Sequence, residues 1–350
     1  MNQIITNHFT SFQSCPTPHP NPTPPWELPK AIDPFKIQTS LSSSTTPTLL
    51  HQAIQDPLTF QECKDHLPNG KAHSPTDIPN EILKHAPQEL KECIHLLFQL
   101  MWAAAYTPPS WKESYTILLY KNKGETTDIN KYRPIALLNT IYKLWTKLQQ
   151  RILSDYAEEH NLLSSQQAGF RKGRNCIQQL QLLTSALEDA RLTGQNIFAL
   201  IIDFSSAFNM IDHTTLHTTL TNLNFPPDAG TVIKDLYSDA HSRIRWDITT
   251  TSPIPIKRGT MQGDTLSPFL FLCYMEPLLR WLHVGGRGYQ FGCLPTKDPR
   301  LLNHISSAAY ADDLIILTHT PSDLKLQAEK LTNFCNWAHM PVNTDKTYAT

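Results

Sequence analysis

Along residues 308–317 the apolar pattern breaks once and then resumes. Ala308-Ala309-Tyr310 is followed by Ala311-Asp312-Asp313 and then by Leu314-Ile315-Ile316-Leu317. Two short apolar runs around a polar pair predict a half-buried hairpin whose tight turn carries adjacent carboxylates. A second run, Ile197-Phe198-Ala199-Leu200-Ile201-Ile202, is apolar throughout and ends on Asp203. Such a run predicts a central strand buried on both faces. Alternation over Tyr115–Tyr120 and over Ile244–Ile248 predicts two more strands.

Helical spacing accounts for most of the rest. Ile94, Leu97, Leu100 and Met101 predict one helix, ended by Pro108-Pro109. Leu144, Leu148 and Ile152 line the inner face of a helix over 141–153, and a helix over 180–192 is ended by Gly194. Asp212 is a natural N-cap for a helix whose inner face is Leu216, Leu220 and Leu223. Ser267 as N-cap and Pro268 at the first helical position predict a helix to about Leu282, kinked at Pro277. Residues 323–339 read as an amphipathic helix with Leu324, Leu331, Phe334, Cys335 and Ala338 inward. Pro226-Pro227 predict a loop, and the glycine-rich stretch Gly285–Gly292 a hairpin or loop. Residues 1–50 are rich in Pro, Ser and Thr, notably in Cys15–Pro20, Pro22–Pro25 and Ser42–Thr46, and predict a disordered arm.

Composition changes this picture little. The chain has 350 residues, enough for one large core or two smaller ones. Lys and Arg (30) nearly balance Asp and Glu (31), so bulk charge gives no support for nucleic-acid binding and a basic surface has to be local. Seven cysteines without a C-x-x-C pair fit reduced thiols better than disulfides or a zinc site. The 15 histidines show no metal-ligand spacing and read as surface or core residues. No apolar run approaches the roughly 20 residues of a membrane span, and the N-terminus lacks a signal-peptide core. A soluble, unsecreted protein of the nucleus or cytoplasm is expected.

Local charge is more telling. Lys112, Lys121, Lys123, Lys131, Arg133, Lys143, Lys147 and Arg151 outnumber Glu113, Glu125 and Asp128. Arg171, Lys172 and Arg174 follow Gly169-Phe170. A basic run is most often a solvated face. Interleaved with Tyr132, Tyr142, Trp145 and Phe170, this one suits phosphate contact and base stacking.

The acids pose the sharper question. Adjacent carboxylates in a partly apolar setting repel, and one takes up a proton unless a cation joins them. Two strand ends presenting Asp203 and Asp312-Asp313 could hold two Mg²⁺ ions roughly 3.5–4 Å apart, the arrangement that serves in-line phosphoryl transfer.

Here the chain resembles a family. Tyr310-Ala311-Asp312-Asp313 looks like the active-site hairpin of reverse transcriptases from non-LTR (LINE-type) retrotransposons, and Asp203-Phe204-Ser205-Ser206-Ala207-Phe208 looks like their first catalytic motif. Lys121 with Tyr132-Arg133-Pro134-Ile135 resembles the fingers motif whose cations hold the incoming triphosphate, a role suited to the guanidinium fork. Gln167-Ala168-Gly169-Phe170-Arg171-Lys172-Gly173-Arg174 resembles the block that lies along the template. Arg258 to Pro268, with Gln262-Gly263, resembles the block at the nascent base pair, and Val342 to Thr347 the motif closing the palm. The resemblance covers residues 57–350. It departs from the family at Ser74 and Asp77, where glycines are usual, at Thr76 and Asn209, where Asp is usual, and at His339-Met340-Pro341, where a glycine is often found.

The resemblance implies an α+β right-hand polymerase palm, an antiparallel sheet with helices on one face, plus fingers, with no thumb following. Residues 51–114 would form a helical lead-in, 115–195 the fingers and 196–350 the palm, with a fingers return at about 224–257. The implied reaction is RNA-templated addition of deoxynucleotides to a DNA primer 3′-hydroxyl. Asp203, Asp312 and Asp313 would be catalytic and, with Phe204, would hold two Mg²⁺ ions, Mn²⁺ being an alternative. Lys346 would protonate the pyrophosphate leaving group or would be a surface lysine. Lys121, Arg133, Phe208, Gln262 and Gly263 would bind the nucleotide, Phe208 as the gate against a 2′-hydroxyl. Phe170, Arg171, Arg174 and Tyr310 would meet nucleic acid. Three other readings stay open: a catalytically weak remnant that binds nucleotide or RNA, an RNA-dependent RNA polymerase, and a non-enzymatic RNA-binding scaffold.

Overall fold

The computed structural model describes residues 2–14, 24–27, 50–71, 77–292 and 304–350. Its helices up to the first catalytic motif are α1 (Asn2–Gln13), α2 (Pro57–Asp65), α3 (Asn80–Lys84), α4 (Gln88–Ala104), α5 (Thr140–Glu159) and α6 (Cys176–Thr193). Beyond it come α7 (His213–Asn222), α8 (Pro227–Tyr237), α9 (Ser267–His283) and α10 (Pro321–Trp337). The strands are β1 (Glu113–Tyr120), β2 (Tyr132–Leu137), β3 (Phe198–Ile202), β4 (His241–Trp246), β5 (Thr249–Thr250) and β6 (Ile254–Pro255). They continue with β7 (Tyr289–Gln290), β8 (His304–Ile305), β9 (Ser307–Tyr310), β10 (Asp313–Thr318) and β11 (Tyr348–Ala349).

Capping chemistry sets many of the boundaries. Asn175 and Gln178 form a reciprocal capping box at the start of α6, and Gly194, at φ 67°, closes its end. The Asp212 carboxylate accepts from the Thr215 amide at 2.7 Å, capping α7 as its position predicts. Thr320 caps α10, with Pro321 in the first turn. The same chemistry corrects the loop expected at Pro226-Pro227: Pro227 opens α8, because its missing N–H is one the first turn leaves unbonded anyway. Ser267 does not cap α9 with its side chain as expected; its hydroxyl donates to the Met261 carbonyl at 3.0 Å.

The described residues fall into two compact units. The first is drawn from Met1–Thr17, Thr45–Glu159 and Ile211–Leu270, the second from Pro18–Ser44, His160–Met210 and Phe271–Thr350. In the first, β1 pairs antiparallel with β2 and parallel with β4, and β4 also carries β5 and β6. Leu144, Leu148 and Ile152 of α5 are buried, as their spacing predicts. The inner face of α4 differs from expectation: Ile94, Phe98, Met101 and Trp102 point in, whereas Leu97 and Leu100 are exposed. The aromatic side chains claim the core because each removes more apolar surface from water than a leucine. Part of the expected disordered arm is helical: Ile5 and Phe9, one turn apart on α1, pack on Ile244 and Ile254. Residues 15–23 and 28–49 lie outside the described residues, as do Ser74 and Thr76. The strand expected to reach Ile248 stops at Trp246, because Asp247 turns left-handed (φ 53°) and leaves Ile248 exposed.

The second unit is built on an antiparallel sheet in the order β11-β3-β10-β9. Ile315 and Leu317 of β10, with Ile197 and Ala199, pack against Leu182, Leu183, Ala186 and Ala190 of α6. Leu314 and Ile316, on the opposite face by alternation, are buried too. The hairpin was expected to be half-buried, yet the apolar run of β10 is covered on both of its faces. In β3 only Ile202 is fully buried, and Phe198 to Ile201 are half-buried, short of the two-sided burial the run predicts. Leu331, Phe334, Cys335 and Ala338 face inward at α10, and Leu324 is half-buried. The glycine-rich stretch leads into the small β7–β8 ladder.

Candidate active site

The acids of the second unit meet because of strand register. β9 and β10 pair with Tyr310 opposite Asp313, leaving Ala311 and Asp312 as a two-residue turn. Ala311 sits at φ 57°, a left-handed conformation that costs an alanine roughly 1–2 kcal/mol. β10 pairs with β3 through Leu314 opposite Ile202 and Ile315 opposite Ile201. One step further along that register stand Asp313 and Asp203.

Asp203 is held on several sides. Its Oδ2 accepts from Asn343 Nδ2 at 2.9 Å and lies 3.2 Å from Lys346 Nζ. Its carbonyl accepts from the Asn343 amide at 2.8 Å, and its amide donates to Thr347 Oγ1 at 3.2 Å. Burial pushes the Asp313 carboxyl above its ordinary pKa. The charges of Asp312 and Asp203 push it the same way, and Lys346 opposes them. These four side chains therefore share one electrostatic neighbourhood.

Among the described residues no three His, Cys, Asp or Glu side chains are grouped tightly enough to enclose a metal ion. The donor chemistry still suits a hard divalent cation. Three carboxylates repel one another here, and the Lys346 ammonium is the cation drawn to them. Asp203 and Asp312 could supply oxygens, and Phe204, a buried side chain, could offer only its carbonyl.

The block Gln167–Arg174 lies against the turn. Gln167 Nε2 donates to the Ala311 carbonyl at 3.1 Å, while its Oε1 accepts from the Ala311 amide at 2.9 Å and the Gly169 amide at 2.8 Å. A Cβ built on Gly169 would stand 2.3 Å from Ala311 N, so only glycine permits this approach. Arg171 departs from the expected nucleic-acid role. It is buried, and its guanidinium donates to the carbonyls of Ser164 (2.5 Å) and Gln167 (3.2 Å). Arg174 donates to the Ser165 carbonyl at 3.0 Å from a half-exposed position. Phe170 (φ 54°) and Tyr310 remain exposed. Left-handed backbone at Phe170, Ser206 and Ala311 marks three of the four matched motifs of this unit, the exception being Val342 to Thr347.

Phe208 is half-buried and stacks on Phe271, ring centroids 4.7 Å apart and tilted by 30°, with Phe170 edge-on at 6.3 Å.

The other candidates belong to the first unit. Arg133 pairs across the β1–β2 ladder with Leu119 and is exposed. Lys121 follows the end of β1, and its Nζ donates to the Asn130 carbonyl at 2.9 Å. The Gln262 carbonyl accepts from the Ala136 amide at 2.7 Å. Gly263, at φ 128°, lets the chain pass where a Cβ would stand 2.6 Å from the Ala136 carbonyl oxygen. Asp77, one of the departures from the family pattern, has no left-handed strain to bear. Its carboxylate accepts from the Thr140 amide at the start of α5.

Sequence reasoning missed Asn343 and the contact made by Gln167. Both lie inside matched motifs, but nothing local signals that an amide side chain 144 positions away reaches the acid turn.

Residues 120–350 match the family Reverse transcriptase (RNA-dependent DNA polymerase). Among similar proteins is a Retrovirus-related Pol polyprotein from type-1 retrotransposable element R2 of Nasonia vitripennis, 26% identical over 72% of this chain and 23% of that protein. The Probable RNA-directed DNA polymerase from transposon BS of Drosophila melanogaster is 26% identical over 89% of this chain and 34% of its own length. The RNA-directed DNA polymerase from mobile element jockey, from the same fly, is 25% identical over 83% of this chain and 31% of its own length. The chain thus spans about a quarter to a third of the length of these relatives. No helix among the described residues is long and apolar enough to cross a membrane.

Proposed function

The chain belongs to the reverse transcriptase family, and from that premise we propose that it is the part of a retrotransposon RNA-directed DNA polymerase that carries the polymerising acids. The substrates are an RNA template, a DNA primer and deoxynucleoside triphosphates. The second unit is the palm and the first contributes the fingers.

The observation that carries the reading is the shared field of Asp203, Asp312, Asp313 and Lys346 at the ends of β3 and β10. Asp203, Asp312 and the Phe204 carbonyl would hold Mg²⁺, with Asp313 beside them. When bound, the ions supply charge neutralisation and a more acidic primer hydroxyl. The chain's own part is to hold oxygen donors at fixed strand ends. Asn343 fixes the orientation of the Asp203 carboxylate, and Lys346 keeps a mobile positive charge at the acids and meets the departing pyrophosphate. Phe208, seated on Phe271, walls the sugar and disfavours a 2′-hydroxyl. Arg133 and Lys121 grip phosphate, and Gln262-Gly263 flank the base pair.

The test is primer extension on poly(rA)/oligo(dT) in Mg²⁺, with Asp312→Asn as the blank and ribonucleotides in a parallel arm. Template-dependent DNA product from the native chain alone is the expected result. Product from both proteins, or from neither, would overturn the assignment. Equal use of ribonucleotides would move it to RNA synthesis.

A further inference from the structure

Ala311 occupies the first position of the acid turn in a backbone conformation that an alanine adopts at a cost. Something outside the turn has to offset that cost, because a relaxed Ala311 would swing Asp312 and Asp313 away from Asp203. The main chain of 166–168 runs beside β9. The Ala309 amide donates to the Gln166 carbonyl at 2.8 Å, and the Ala168 amide donates to the Ala309 carbonyl at 3.0 Å. These two bonds anchor the strand but stop short of the turn.

The Gln167 side chain continues the ladder by one residue. Its amide engages both polar groups of Ala311, donating to the carbonyl and accepting from the N–H. A primary amide is the side-chain group that presents a donor and an acceptor side by side, so it reproduces the pairing a neighbouring strand would give. Gln167 Oε1 also takes the Gly169 amide, which fixes the rotamer from behind. Gly169 then closes the gap, since any side chain there would strike Ala311. The contact is half-buried, and a turn amide left without it would be open to water.

We propose that Gln167 is a positioning residue for polymerisation: through its paired hydrogen bonds it holds Ala311 left-handed and thereby sets where the Asp312 and Asp313 carboxylates stand. This rests on the polymerase reading above. It gives the 167–174 block a task at the acids that is separate from template contact.

Gln167→Met keeps length and approximate shape and removes all three side-chain hydrogen bonds, the two with Ala311 and the one from the Gly169 amide. Gln167→Glu keeps the acceptor for the Ala311 amide and loses the donor. The first readout is hydrogen exchange at individual amides by NMR in the metal-free chain. In Gln167→Met the Ala311 amide should exchange at least about fivefold faster, the scale of one lost net hydrogen bond. The Ala309 amide, held by the main chain, should be unchanged. In Gln167→Glu the Ala311 amide should stay protected. The second readout is steady-state kinetics with Mg²⁺. Gln167→Met should lower kcat about 10–100-fold, the usual cost of losing a group that orients a metal-binding side chain, with KM for the deoxynucleotide within about threefold.

Unchanged exchange at Ala311 in Gln167→Met would overturn the proposal, as would faster exchange with kcat within about twofold of the native value. Equal acceleration at Ala309 and Ala311 would also overturn it, marking a general loosening. If the native chain makes no DNA, the polymerase reading falls, and exchange at Ala311 alone decides whether Gln167 positions the turn.

Discussion

Asp264 in the first unit and the trio Asp203, Asp312 and Asp313 in the second are carboxylates kept under opposite conditions. Asp264 is 5% exposed and takes hydrogen bonds at Oδ1 from the Thr146 hydroxyl (2.5 Å) and the Leu266 amide (3.4 Å). Its Oδ2 is buried with no partner among the described residues, and so is the hydroxyl of Tyr142, whose own titration feels the Asp264 charge. Burial pushes the Asp264 carboxyl up to about 6. The trio is only partly buried. At Asp313 desolvation and the charges of Asp312 and Asp203 oppose ionisation and Lys346 favours it, while the Asp203 carboxylate is met by Lys346 and Asn343. An isolated acid in a dry core answers its surroundings by holding a proton. A cluster of like charges at half-exposed strand ends is instead suited to drawing cations. A perturbed carboxylate therefore marks a functional site only when other charges at an accessible place contribute to the perturbation.

The largest effect that separates the two regions is on synthesis. Asp312→Asn and Asp203→Asn should each lower primer extension by at least about 10²-fold, the scale of removing one group that stabilises a charged transition state. Thermal stability should change little, because relieving repulsion offsets the lost contacts. Asp264→Asn should retain synthesis at least about tenfold above either of them. Synthesis by Asp264→Asn as poor as that by Asp312→Asn would break the comparison, since it would place Asp264 in the chemistry.

The next effect tests whether the acid turn depends on its neighbour. Gly169→Ala forces a Cβ to within 2.3 Å of Ala311 N, so the turn or the 167–171 loop must shift. Displacement of a catalytic group by about 1 Å can cost roughly 10²-fold in rate, and a fall of that order is expected with the first unit's unfolding behaviour unaltered. Gly263→Ala makes the matching test in the first unit, where the clash is with the Ala136 carbonyl oxygen. There the loss should fall first on folding stability, read as a lower urea midpoint.

How much of this was legible depended on how far along the chain each cause lay. The hairpin at Asp312-Asp313 and the strand ending on Asp203 were legible because residue identity and apolar run length carry them locally. The Asp212 cap and the inner face of α5 were legible for the same reason. The face of α4 was not. Leu96, Leu97 and Leu100 compete with Phe98 and Trp102 for the core, and periodicity cannot say which set wins until neighbours are placed. Pro226-Pro227 misled because proline both ends and begins helices. Arg171 misled because a cation beside a basic run looks solvated, whereas two main-chain carbonyls satisfy it inside. The Gln167–Ala311 contact was illegible in principle, being set by tertiary pairing of segments far apart in the chain.

The smallest effect sharpens the buried side of the comparison, and its sign follows from linkage. The Asp264 carboxyl titrates near 6 in the folded protein, against an ordinary value of 3.8. Between those two pH values the folded chain keeps a proton that the unfolded chain has released. The resulting stabilisation is complete at the acid end and fades as pH rises through about 6. Above that, the folded state bears a charged carboxylate with one unpartnered oxygen in a dry site. Asparagine cannot ionise, and its oxygen can still accept from Thr146. Urea midpoints for the native chain and Asp264→Asn, measured at pH 4.5 and 7.5, should therefore diverge in one direction. The native chain should lose on the order of 2 kcal/mol relative to the variant across that interval, since each tenfold change in proton affinity is worth about 1.4 kcal/mol. A parallel pair of profiles would mean that Asp264 is no more strained than an exposed acid, and the contrast between the two regions would then rest on accessibility alone.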